Sequence, residues 1–95
     1  MEGWKGWKTK KQINSKIYFI NGKKHRINKP AQIYYYLSGN VEVEFYYVND
    51  SLHNLGGPAV IWYRLDGKID KESYYINGMR QSKLNFEKII KASNC

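Results

Sequence analysis

His25 and His53 are the residues of this chain best suited to moving protons, and a histidine pair beside lysines is what metal-free RNA cleavage needs for its general acid and base. A second constellation lies near the start, where Trp4-Lys5-Gly6-Trp7-Lys8 runs on to Lys10 and Lys11. Indoles interleaved with ammonium groups can stack on bases while pairing with phosphates, or sit at a headgroup interface while attracting anionic lipid. The run Lys23-Lys24-His25-Arg26, read as the turn after a first strand, extends the same cationic region. The sequence contains no phosphate-cradling glycine loop and no Ser/His/Asp grouping. Its single cysteine, Cys95, excludes an intramolecular disulfide and any cysteine-based zinc site. The expectation is therefore a protein without cofactor or metal.

These residues sit on a very uneven charge distribution. The net charge is +8, and residues 1–29 hold nine Lys or Arg against the single acid Glu2. Residues 30–95 hold seven cations and seven acids, so the rest of the chain is electroneutral. A neutral body with one cationic end is the electrostatic footprint of a protein that meets a polyanion, whether nucleic acid, an acidic protein or an anionic membrane.

The elements that must position these groups follow from composition and periodicity. Ninety-five residues, 42% hydrophobic and 16% aromatic, can fold as one small domain without disulfide staples. No run of about 18 apolar residues is present to cross a bilayer, and the first residues lack the apolar core of a secretory signal, so a cytoplasmic location, including a host cytoplasm, is expected. Nine tyrosines and eight glycines against two prolines favour strands and tight turns.

Sliding the chain on itself gives a register in which residue 16 falls on residue 44, with 13 identities in 35 positions between residues 16–50 and 44–78. His25 falls on His53, Pro30-Ala31 on Pro58-Ala59, Ile33 on Ile61, Tyr35 on Tyr63, Gly39 on Gly67, Glu44 on Glu72, and Tyr46-Tyr47 on Tyr74-Tyr75. A closing phrase occurs three times, as Tyr18-Phe19-Ile20-Asn21-Gly22, Tyr46-Tyr47-Val48-Asn49-Asp50 and Tyr74-Tyr75-Ile76-Asn77-Gly78. Each unit reads as a β-hairpin. Residues 31–37 and 41–48 flank Ser38-Gly39-Asn40, and residues 59–65 and 68–76 flank Asp66-Gly67, where glycine supplies the positive φ of a tight turn. The recurring Asn-Gly or Asn-Asp pair marks the turn into the next unit. Equivalent positions explain the histidines as hydrogen-bond partners of a turn in their own unit, which argues against catalysis. Stacked units should bring Tyr18, Tyr46 and Tyr74 into an aromatic ladder. After Arg80 the pattern breaks, and Ser82 is placed to cap a short helix through Ala92, with Leu84, Phe86, Ile89 and Ile90 covering the end of the sheet.

The phrase His53-(four residues)-Pro58-Ala59-Val60-Ile61-Trp62-Tyr63, then Asp66-Gly67-Lys68-Ile69 and Glu72-Ser73-Tyr74-Tyr75-Ile76-Asn77-Gly78, resembles the MORN-like repeats of bacterial, phage and large-virus proteins. The resemblance spans residues 16–80, as two full units and a half unit, with Asn28-Lys29 standing where the second unit has Gly56-Gly57. It implies a mainly β protein, an antiparallel β-hairpin repeat meander of about 2.5 MORN-like units with a short C-terminal capping helix, preceded by a basic Trp/Lys arm over residues 1–15 and closed by a cap over 81–95. It also implies a freestanding binding protein rather than an enzyme, of the antitoxin-like or inhibitor kind.

The expected function is association with a nucleic acid or nucleoprotein complex through Trp4, Lys5, Trp7, Lys8, Lys10, Lys11, Lys23, Lys24 and Arg26, in a phage- or virus-type inhibitor of a host nuclease or defence system. The alternative is a module that binds a host protein target through Tyr34, Tyr36, Trp62 and Arg64, since aromatics and arginine dominate interface energetics. Anionic-membrane binding ranks below both. The half unit at the start leaves a strand edge that a second copy could complete as a homodimer.

Overall fold

A computed structural model of the chain describes residues 15–93. Ten strands are present: β1 (Ser15–Ile17), β2 (Phe19–Ile20), β3 (Lys23–Lys24), β4 (Gln32–Tyr35), β5 (Val41–Phe45), β6 (Tyr47–Val48), β7 (Ser51–Leu52), β8 (Val60–Tyr63), β9 (Ile69–Ile76) and β10 (Met79–Gln81). Helix α1 (Lys83–Ser93) follows them. Six strands form an antiparallel sheet in the order β1-β4-β5-β8-β9-β10, and β2-β3 and β6-β7 form two small hairpins.

Turn chemistry sets the connections. Asn21-Gly22, Asn49-Asp50 and Asn77-Gly78 all have positive φ at both positions, the backbone of a two-residue hairpin turn whose twist matches that of its strands. The longer connections use three residues. The Gly67 amide donates to the Arg64 carbonyl and the Arg64 amide to the Lys68 carbonyl, with Gly67 at φ 90°, and Tyr36, Gly39 and Asn40 repeat the arrangement with Gly39 at φ 98°. Other backbone bonds recur between positions that the sequence register aligns. Tyr18 to Ala31 is matched by Tyr46 to Ala59, His25 to Tyr18 by His53 to Tyr46, and Arg26 to Tyr47 by Asn54 to Tyr75.

The single strand expected over residues 41–48 is divided. β5 stays in the large sheet to Phe45, whereas Tyr47 and Val48 turn to pair with Leu52 and Ser51. Tyr46 sits at the junction, its amide bonded to the Ala59 carbonyl. The cause is the tight Asn49-Asp50 turn, which folds the strand end onto its own continuation. Lys23 and Lys24 likewise form strand β3 after the Asn21-Gly22 turn, not the turn itself.

Register divides the side chains between two faces. Lys16, Ile33, Glu44, Ile61 and Glu72 form one row across the sheet, and alternation adds Ala31, Ala59, Tyr46 and Tyr74 to that first face. The second face carries the rows Tyr34-Val43-Trp62-Lys71 and Ile17-Gln32-Phe45-Val60-Ser73. Buried residues come from both, with Ala31, Ile33, Ala59 and Ile61 on the first and Val43 and Val60 on the second. The expected tyrosine ladder is corrected by the hydrogen bonds, which place Ala31 between Tyr18 and Tyr46 and Ala59 between Tyr46 and the β9 strand. Tyrosines two strands apart lie roughly 10 Å from one another, with an alanine in register between them. Both alanines are 0% exposed.

Helix α1 begins as expected. The Asn85 amide donates to Ser82 Oγ at 3.1 Å and the Phe86 amide to the Ser82 carbonyl at 2.9 Å, so Ser82 is the N-cap. Phe86 is buried, its ring centroid 4.8 Å from that of Tyr74, so the helix closes the first face at the β9 end. Leu84 and Ile89, expected in the same contact, remain exposed. Among the described residues, no strand pairs with the outer edge of β9 over residues 69–73.

Candidate functional site

The basic part of the chain becomes one end of the sheet. Among the described residues β1 is an edge strand, β2 and β3 continue from it, and Lys16, Lys23, Lys24, Arg26 and Lys29 all belong to this end. No Asp or Glu occurs between residues 15 and 29. Of the residues expected to contact a nucleic acid, Lys23, Lys24 and Arg26 fall here, whereas Trp4, Lys5, Trp7, Lys8, Lys10 and Lys11 lie outside the described residues.

Aromatic rings hold three of these cations. The Arg26 guanidinium lies 3.9 Å from the Tyr18 ring centroid, Lys24 Nζ 4.8 Å from that of Tyr47, and Lys16 Nζ 5.8 Å from that of Tyr35. Each contact fixes a long side chain whose charge stays available at longer range. Arg26 also donates from Nη1 to the Pro30 carbonyl at 3.3 Å. The Lys24 backbone and Asp50 bond each other twice, through Lys24 N–H to Asp50 Oδ1 at 2.7 Å and Asp50 N–H to the Lys24 carbonyl at 2.9 Å. These bonds lock β3 against the neighbouring β6-β7 hairpin. Lys23 is exposed.

His25 serves this joint, and His53 serves the corresponding one at the β9–β10 turn. His25 Nδ1 accepts the Asn49 amide at 3.1 Å, and His53 Nδ1 accepts the Asn77 amide at 2.9 Å. Each imidazole thereby satisfies the amide of a hairpin turn 24 residues further along the chain. Both line a cleft of about 400 Å³ between residues 25–28 and 53–56. Sequence reasoning did not find this cleft, because it arises only when equivalent loops of successive units are laid side by side.

The residues expected to dock a protein divide by environment. Tyr34 and Trp62 flank Val43 in one row of the second face. Tyr34 is 39% exposed and meets Phe45 edge-on at 6.0 Å between centroids, with its hydroxyl accepting from Gln32 Nε2. Trp62 is half-buried beneath Lys71, whose Nζ lies 4.9 Å from the ring. Tyr36 is half-buried, its hydroxyl donating to the Tyr63 carbonyl at 2.6 Å, and Arg64 is exposed and paired with Asp70 at 3.5 Å.

On the first face the Tyr63 hydroxyl donates to Glu44 Oε1 at 2.7 Å. Burial, then this hydrogen bond and the Glu44 charge, raise the Tyr63 phenol well above the usual tyrosine range, and burial and Glu44 raise Tyr46 in the same direction. Among the described residues no group of three His, Cys, Asp or Glu is arranged to hold a metal, and no helix is long and apolar enough to cross a membrane. The chain matches no protein-family model, no curated protein and no solved structure.

Proposed function

We propose that this chain is a non-enzymatic binding protein that holds a nucleic acid, or a nucleoprotein complex, at the β1–β3 end of its sheet. The observation that carries this reading is the acid-free stretch of residues 15–29, whose Lys16, Lys24 and Arg26 are each set over a tyrosine ring. Fixed cations meet phosphates with less loss of side-chain freedom, and neighbouring rings offer faces to unstacked bases. The Trp/Lys arm, Trp4 to Lys11, carries the same pairing of residue types in the sequence that precedes β1. The backbone bonds that recur from one unit to the next support a scaffold of about 2.5 MORN-like units beneath the site. An inhibitor of a host nuclease or defence system, acting in the cytoplasm, is the role consistent with a scaffold of that kind.

Anisotropy of a labelled single-stranded oligonucleotide tests the reading. Affinity should fall by roughly two orders of magnitude or more between about 50 and 200 mM salt if several phosphates are contacted, and the paired charge reversals Lys23→Glu and Lys29→Glu should weaken it further. Binding that ignores salt and these reversals defeats the proposal. A captured protein lost on Trp62→Ala but not on charge reversal would move the function to the second face.

A further inference from the structure

We infer that the cleft between residues 25–28 and 53–56 is a phosphate-binding site, whose donors are the two imidazoles and the Arg26 guanidinium. The inference rests on the reading above, because Arg26 belongs to the basic end, and it names where on that end a phosphate sits.

The tautomers follow from the hydrogen bonds. A ring nitrogen that accepts a backbone amide keeps its lone pair, so with Nδ1 accepting in both His25 and His53 the ring proton resides on Nε2. Each histidine therefore offers the cleft an N–H donor while its acceptor is spent on a turn. The carboxamide of Asn54 is spent on both sides, with Oδ1 accepting the Gly56 amide at 3.0 Å and Nδ2 donating to the Pro58 carbonyl at 2.9 Å. Arg26 has committed one of its five N–H groups, the Nη1 bond to Pro30. No Asp or Glu lines the cleft.

The balance of donors and acceptors selects the ligand. The acceptors of both imidazoles and of Asn54 are consumed inside the fold, while two imidazole N–H groups and a guanidinium remain as donors, beside the carboxamide of Asn28, around a volume of about 400 Å³. Such a site calls for a ligand that accepts from several directions and carries negative charge, which describes a phosphate and not a cation or an apolar group. Ile27, Val48 and Leu55 complete the walls. Two phosphate sources share this chemistry, the phosphodiester of a nucleic acid and a free phosphate or phosphomonoester.

Asparagine separates the two jobs of each histidine. Its Oδ1 stands the same number of bonds from the backbone as Nδ1 and can accept the turn amide, whereas nothing replaces the Nε2 donor. The full chain, labelled with ¹⁵N, is titrated with inorganic phosphate and separately with a single-stranded oligonucleotide at matched ionic strength, and the imidazole and guanidinium nitrogens are followed by long-range NMR correlation. The expected result is that both histidines show the Nε2–H tautomer, that both Nε2 signals and the Arg26 signals shift with phosphate, and that His53→Asn weakens the response roughly tenfold or more while the Asn77 amide keeps its position.

Imidazole signals that respond no more to phosphate than to chloride overturn the inference. Phosphate shifts without oligonucleotide binding uphold the cleft, assign it to free phosphate and defeat the nucleic-acid reading alone. Salt-sensitive oligonucleotide binding that is unchanged in the His25→Asn/His53→Asn double variant overturns the cleft and leaves the nucleic-acid reading intact.

Discussion

The hairpins β4–β5 and β8–β9 agree on one face of the sheet and differ on the other. On the first face Ala31, Ile33, Tyr35, Glu44 and Tyr46 are matched in the next unit by Ala59, Ile61, Tyr63, Glu72 and Tyr74, with no change of residue type. On the second face Gln32, Tyr34, Val43 and Phe45 are matched by Val60, Trp62, Lys71 and Ser73. The first face repeats because each residue there completes a contact with its neighbours in the row. An alanine must fit between tyrosines, and an isoleucine must fit between carboxylates. The second face supports its residues within one hairpin, as when Lys71 covers Trp62 or Tyr34 meets Phe45, so its chemistry can change from unit to unit. The invariant face carries stability, and the variable face and the loops between hairpins are free to carry function.

Substitutions can break or sharpen this contrast. Ile61→Ala, on the first face, should cost about 2–3 kcal/mol in urea unfolding, the largest effect here, because a buried residue between Glu44 and Glu72 in its row leaves a cavity. Tyr63→Phe should cost about 1 kcal/mol by removing the donor to Glu44. Its pH signature has a definite sign. The folded state holds the Tyr63 proton more tightly than the unfolded chain, so the stabilisation is complete below the ordinary tyrosine value near 10 and is lost as pH rises above it. Alkaline unfolding curves should therefore be less steep in Tyr63→Phe than in the parent. An unchanged slope would remove Glu44 and Tyr63 from the argument.

His53→Ala should cost about 0.5–1 kcal/mol, by leaving the Asn77 amide without its acceptor at a partly exposed site, as read by thermal unfolding. Tyr34→Trp copies Trp62 into the equivalent position of the earlier hairpin, at a side chain that is 39% exposed. If the second face is as permissive as its residues suggest, the cost stays below about 1 kcal/mol, whereas a loss as large as that of Ile61→Ala would erase the distinction between faces.

The turns were the most legible part of this fold. Asn21-Gly22, Asn77-Gly78 and Asp66-Gly67 carry their backbone preference in their own residue types, and Ser82 announces its helix in the same local way. The break at Tyr46 was not legible, because residues 41–48 alternate without interruption and only pairing shows that the last two leave the large sheet. The bulges opposite Tyr35 and Tyr63, where Glu42 and Asp70 are the extra residues, were hidden for the same reason. At the basic end the charges could be counted, but Lys24 and Tyr47 are far apart in sequence and meet only through β3 and β6. The shared cleft of the histidines required the same lateral placement.

The outer edge of β9 has a consequence for the chain at high concentration. Over residues 69–73 it presents backbone donors and acceptors with no described strand beside them, in a form that another β-strand could extend. Asp70, Lys71 and Glu72 occupy its centre, and the bulge at Asp70 interrupts its regular spacing. An approaching strand would meet alternating charges and a break in register, both of which discourage propagation of a sheet from molecule to molecule. The end of this sheet can thus remain open without seeding a fibre.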